Sequence, residues 1–363
     1  MEKLPDLNTL LYEAVKAKGT DLHLSVASAP RVRVMGELKL LDYEDIQPED
    51  MLRLFREAGT DTKAEIMLKD EGNLDFSYAV DKVGRFRVNF FRQKGDYAAT
   101  FRLLNEKPLD YTTLGIPQSF FSYTRKRRGL ILVVGPTGSG KSTTLASFID
   151  IINQSMPKHI VTLEDPIEYV HWHSKGLINQ REIGKDCPTF GDGLRAALRE
   201  DPDVILVGEM RDLESIQTAL QAAETGHLVC STLHTLGAVE TVDRIIDMYP
   251  EKMHTQVRSQ LCSVLEAVVS QQLMPRADGK GYTVAYEIMY KNKEIKKMIK
   301  DNRIDDIGEY LGTPDAIRQG MCKMDSTILN LAKKGQITKN TALDYAFDRK
   351  WMQEQIELAS KKR

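Results

Sequence analysis

The chain has 363 residues, with 50 Lys plus Arg against 52 Asp plus Glu and a formal net charge of −2, a balance that argues against a general nucleic-acid binder. A hydrophobic share of 42% is enough for a sizeable core in two or three domains, and a charged share of 28% fits a soluble chain. Cys187, Cys230, Cys262 and Cys322 form no CxxC, and neither an 18-residue apolar run nor a basic-then-apolar leader occurs, so a zinc ribbon, secretion and a membrane anchor are not expected.

Residues 1–105 read as a small α+β unit. The spacing of LNTLLYEAVKAKG predicts a helix. DLHLSV, PRVRVMGEL, LDFSYAV, GRFRVNFF and YAATFRLL alternate as half-buried strands of an antiparallel sheet do, and MLRLFREAGTDTKAEIMLKD is expected to be helical between them. Residues 106–128, with Pro108, Gly115 and Pro117, read as a linker with a short helix. Its basic run Arg125-Lys126-Arg127-Arg128 reads as a solvated hinge. In residues 129–290 the apolar segments LILVV, HIVTL, VILVG and LVCST alternate with helical stretches, which predicts a parallel sheet covered on both faces. Residues 291–363 read as helical and end in the charged tail ELASKKR.

Gly135-Pro136-Thr137-Gly138-Ser139-Gly140-Lys141-Ser142 matches GxxxxGK[ST] between an apolar strand and a helix, the context of a phosphate-binding loop. Glycines let backbone N–H groups curl around phosphates, and the helix N-terminus adds its positive dipole. Lys141 is expected on the β- and γ-phosphates of ATP, Ser142 on Mg²⁺ and Thr143 near the α-phosphate.

Hydrolysis also needs carboxylates at strand ends. DPDVILVGE is an apolar strand ending in Glu209, with Gly208 where an aspartate is usual. HIVTL ends in Glu164, with Asp165 and Glu168 read as structural; this strand follows the loop helix and is expected beside the loop strand, its end facing the γ-phosphate. Glu164 is assigned to the attacking water and Glu209 to Mg²⁺ through water, an assignment that can be exchanged on sequence alone. His227 and His234 bracket LVCST. Since ligands gather at the C-terminal ends of parallel strands, His234 is expected nearer the phosphates than His227. His171 and His173, around Trp172, read as surface or interface residues. Arg195 and Arg199, four apart on one helix face, are candidates for transition-state charge and equally for local ion pairs.

GPTGSGKS, TLEDPIEYVH, LREDPDVILVGEMRD and AAETGHLVCSTLHT, in this order, resemble the four nucleotide motifs of the secretion ATPase superfamily. With the flanks GRFRVNFFRQ, LINQREIG and MDSTILNLAKKGQIT, the chain is most similar to the type IV pilus retraction branch, the PilT/PilU family. The four cysteines form no zinc module of the kind in pilus-assembly and type II secretion ATPases, and the extra N-terminal domain of those proteins is not expected here. The resemblance implies a PAS-like N-terminal domain followed by a RecA-like ATPase domain with a helical C-terminal region. It implies a hexameric motor that couples ATP hydrolysis to pilus retraction and twitching motility. It further implies a cytoplasmic position, peripheral to the inner membrane through a pilus platform protein, and an optional second retraction ATPase as partner. Neither nucleic acid nor direct membrane insertion is implied. Family arginines that reach the nucleotide from the N-terminal domain match Arg87 and Arg102. One departure stands out: Glu294-Ile295-Lys296-Lys297-Met298-Ile299-Lys300-Asp301 replaces the AIRNLIRE-like helix usual in PilT, pointing to a PilU-like accessory protein or a divergent PilT.

Overall fold

The computed structural model describes residues 3–60, 62–104 and 107–361. The expected boundary between residues 105 and 106 and the last two residues of the charged tail lie outside the described residues. The chain divides into two compact units, Met1–Lys107 with Pro166–Val170, and Pro108–Asp165 with His171–Arg363.

In the first unit six strands, β1 Asp21–Ser25, β2 Arg31–Val34, β3 Glu37–Leu40, β4 Asn73–Val80, β5 Gly84–Gln93 and β6 Asp96–Leu103, form one sheet in the order β3-β2-β1-β6-β5-β4, antiparallel at every pair. The β5–β6 turn, Lys94-Gly95, has both residues at positive φ (49° and 91°), as a two-residue hairpin with right-handed twist requires. The apolar face of the helix Leu7–Lys16 (Leu7, Leu10, Leu11, Ala14) is buried with Phe55, Phe86, Phe90 and Phe101 in one core. The stretch expected as one helix is two, Pro48–Glu57 and Thr62–Glu71, parted near Gly59, whose φ of 76° is outside helical range. Arg87 and Arg102 are direct cross-strand partners, so they stand on one face of the sheet.

The second unit holds seven strands: β7 Gly129–Val134, β8 His159–Glu164, β9 Leu177–Glu182, β10 Val204–Val207, β11 Leu228–Leu233, β12 Leu265–Pro275 and β13 Tyr282–Tyr290. Their order is β13-β12-β7-β11-β10-β8-β9, parallel throughout except for β13 against β12. Every residue of β7, β10 and β11 is buried, which is why these segments read as unbroken apolar runs. Sequence patterning missed β9, β12 and β13. It also misplaced β8: the neighbours of β7 are β11 and β12, and β8 lies beyond β11 and β10. Two later strands fill the space that the first crossover leaves open, and chain order carries no record of such insertion.

The stretch read as a linker is largely part of this unit. Ile116, Phe120 and Phe121 are buried in the same core as β7, and Lys126 pairs with Glu266 at 2.7 Å. Beyond residue 291 the chain is helical as expected; Met324, Ile328, Leu329 and Met352 bury against Met274 of β12 and Ala285 of β13 in a small core of their own. The helix Lys293–Lys300, at the departed motif, turns Ile295 and Ile299 inward.

Candidate functional site

The loop 135–140 joins β7 to the helix Lys141–Ser155. Gly135, Gly138 and Gly140 have φ of 142°, 78° and 88°, conformations that side-chain-bearing residues rarely adopt. A Cβ on Gly135 would also lie 2.3 Å from the carbonyl oxygen of Gln271 on β12, so the loop packs against its neighbouring strand without room for a methyl group. Gly140 caps the helix without a side-chain hydrogen bond, leaving its first-turn N–H groups directed at the loop. Lys141 is buried and donates to the carbonyl oxygens of Gly135 and Pro136 at 2.8 and 2.9 Å, holding the loop in its curl. Ser139 Oγ is buried with no hydrogen-bond partner, while Pro136, Thr137, Gly138 and Ser142 are exposed and Thr143 half-exposed. A concave run of glycines, an orphaned hydroxyl, a lysine and an uncapped helix N-terminus suit a polyphosphate.

The C-terminal ends of the next three strands follow in a row. The Gly135 N–H reaches the Leu233 carbonyl of β11 at 3.3 Å, Thr232 Oγ1 donates to the Gly208 carbonyl at 2.6 Å, and the Gly208 N–H donates to the Leu163 carbonyl of β8 at 2.7 Å. These links bring His234, Glu209 and Glu164 to the same edge of the sheet as the loop. Gly208 explains itself here: a Cβ at this position would come within 3.1 Å of the Leu163 carbonyl. Glu209 is largely buried and receives Arg211 Nε on Oε2 at 2.8 Å, with His234 Nε2 3.1 Å from Oε1. Glu164 accepts from Thr162 Oγ1 at 2.6 Å and from Gln180 Nε2 at 3.0 Å, both on Oε1. Hard oxygen donors, the Ser142 hydroxyl and the Glu209 carboxylate, fit Mg²⁺. Among the described residues no group of three or more His, Cys, Asp or Glu could hold a metal, so the remaining ligands would be phosphate and water.

Some expected residues are not brought together. His227 lies at the opposite edge: its carbonyl accepts from the Gly129 N–H at the start of β7, one strand length, about 20 Å, from the loop. Its ring Nδ1 is 2.9 Å from the Ala222 carbonyl. Arg195 is taken up by Asp192 and Glu214, and Arg199 lies past the end of the helix Phe190–Ala197, so the two do not share a helix face. In the first unit Arg87 is 4.0 Å from Asp75, and Arg102 binds the buried Asp21 at 2.8 Å. His171 is buried rather than superficial; burial pushes its ring down to about 4, and Nδ1 is 3.9 Å from Asp150, whose carboxyl burial pushes up. Arg211 and Gln180 were missed, although both stand inside motifs quoted for the resemblance; Ser270 and Gln271, beside the loop, gave no signal.

The family model described as Type II/IV secretion system protein matches residues 2–327. The type IV pilus retraction ATPase PilT of Pseudomonas aeruginosa is 41% identical over 94% of this chain and 98% of its own length. The type IV pilus ATPase PilU of the same organism is 32% identical over 98% of this chain and 92% of its own. A crystal structure of the pilus retraction motor PilT with bound ADP matches with a TM-score of 0.89 at 43% identity, over 97% of this chain and all of that one.

Proposed function

Because this chain belongs to the Type II/IV secretion system protein family and is a pilus retraction ATPase of its PilT/PilU branch, we propose that the loop 135–143 and the strand ends beside it are its hydrolytic site. Lys141 leaves the loop carbonyls for the β- and γ-phosphates of ATP. Ser142 and Glu209 would hold Mg²⁺, which when bound would supply positive charge to neutralise the phosphates. Glu164 polarises the attacking water, and His234 ties the end of β11 to Glu209. Arg87 and Arg102 supply positive charge for the transition state from the N-terminal unit; their cross-strand pairing supports a joint role. His227, at the far edge of the sheet, has no part in this scheme.

The working form is a homo-hexamer on the cytoplasmic side of the inner membrane, held there by a pilus platform protein, with a second retraction ATPase as an optional partner. No helix among the described residues is long and apolar enough to cross a membrane, which supports attachment through a partner. The higher identity to the PilT relative than to the PilU relative supports a motor over an accessory subunit.

The observation that carries the scheme is the row of hydrogen-bonded strand ends delivering three polar side chains to the phosphate loop. Its test is Lys141→Ala. ATP turnover should vanish while the protein stays folded; hydrolysis near the wild-type rate would refute the loop assignment.

A further inference from the structure

We propose that Gln180 is the positioning residue for the hydrolytic carboxylate: its amide holds Glu164 by one end and the backbone at His171 by the other. The inference rests on the assignment of Glu164 above. β8 and β9 run parallel in a register that sets Thr162 beside Gln180 and Glu164 beside Glu182. Alternate residues of a strand share a face, so these four side chains stand on one side of the sheet. Both Thr162 Oγ1 and Gln180 Nε2 donate to Glu164 Oε1. Gln180 Oε1 accepts from the His171 N–H at 2.7 Å.

An amide is the group this place requires, a donor at one end and an acceptor at the other. A glutamate at a strand end samples several rotamers. Two donors on one oxygen remove that freedom before the reaction begins, which is where a general base gains from its surroundings. The segment that Gln180 grips is itself tied to the helix behind the phosphate loop. Asn153 Nδ2 donates to the Trp172 carbonyl at 2.8 Å, and the Gly176 N–H donates to the Asn153 carbonyl at 2.9 Å. Base and phosphates are thereby referred to one rigid element.

Three carboxylates stand near Glu164 in the fold. Buried Glu182 stands opposite it in β9, exposed Asp165 follows it in the chain, and Glu209 ends the adjacent β10. Arg181, the cation next along β9, points its charge at Glu200 at 2.8 Å. Removing a donor from Glu164 therefore favours its protonated form.

Gln180→Glu keeps the size and an acceptor for His171 but replaces the donor with a like charge, whereas Thr162→Val removes a donor without adding charge, so the pair separates lost donation from added repulsion. The experiment measures kcat and KM for ATP against pH on the full chain, for Gln180→Glu, Thr162→Val and Glu164→Gln. For Gln180→Glu, kcat should fall about tenfold with KM little changed, and the acid limb of kcat should rise by about one pH unit. Thr162→Val should move the limb the same way. A Gln180→Glu enzyme with wild-type kcat and an unmoved acid limb, beside an inactive Glu164→Gln, overturns the positioning role alone. Wild-type turnover by Glu164→Gln overturns the assignment of Glu164 and this inference with it.

Discussion

Glu209 and Glu164 are held by different chemistry, which supports the separate roles proposed for them. Glu209 lies between Arg211 Nε on Oε2 and His234 Nε2 on Oε1, a charged and polar setting that suits the proposed contact with a hydrated cation. Glu164 accepts on Oε1 from two neutral donors, Thr162 and Gln180, which suits the base role proposed for it. Glu164→Gln should cut turnover by roughly 10²–10⁴ while Mg²⁺-dependent ATP binding persists. Loss of that binding with normal single-turnover chemistry would exchange the two roles. His171 gives a second test at this scale. Its pKa is about 4 in the folded chain against 6.5 when free. Above 6.5 it is neutral in both states and costs nothing. As pH falls toward 4 the unfolded chain takes a proton that the folded chain refuses, so stability is lost across that window, by about 3 kcal/mol in full. Denaturant titrations at pH 7 and pH 4.5 should show a smaller loss for His171→Gln than for wild type. An equal loss in both would mean that the ring is not what titrates.

The phosphate loop is a turn constrained from two directions, by dihedral angle and by contact. Gly138→Ala meets open space and only a positive φ, a strain of about 1 kcal/mol. Gly135→Ala meets φ of 142° and the Gln271 carbonyl together. It should unfold at a clearly lower temperature than Gly138→Ala and lose nucleotide binding; matching melting curves for the two would show that β12 gives way. This loop was legible in the sequence because it is local: eight consecutive residues carry the signal, as do the buried runs of β7, β10 and β11. What the sequence hid was non-local. β8 was placed beside β7 because it comes next in the chain, and the later insertion of β10 and β11 leaves no mark on either segment. β12 and β13 escaped notice because LEAVVSQQLMP and YTVAYEIMY mix buried polar residues into a strand, with Ser270, Gln271 and Gln272 all buried. Arg125–Arg128 are all exposed, as a solvated run should be, but the ion pair of Lys126 with Glu266, 140 residues away, left no trace in the local sequence.

Across the whole molecule, fold class and family were readable from motif order, while the contribution proposed for the N-terminal unit rests on two arginines with unequal local duties. Burial alone would raise the Asp21 carboxyl, but the hydrogen bonds from Arg102 and Thr20 outweigh it and hold the group below its ordinary range. Arg102→Ala would therefore strand a buried charge, whereas Arg87 has only a loose, exposed partner in Asp75. Arg87→Ala is the cleaner variant. It should lower ATP turnover by about tenfold or more without changing the oligomeric state read by light scattering, and an unchanged rate would remove Arg87 from the reaction. Within the ATPase unit, β12 and β13 are 11 and 9 residues long against 6 for β7. Ser270 is the last residue of β12 paired with β7, so the hairpin runs on past the phosphate loop to Met274 and Ala285, where the C-terminal helices seat. The side of that hairpin packs against the phosphate loop, the Gln271 carbonyl leaving no room for a Cβ at Gly135. The loop and the C-terminal helices thus lean on one and the same hairpin, on its side and at its far end.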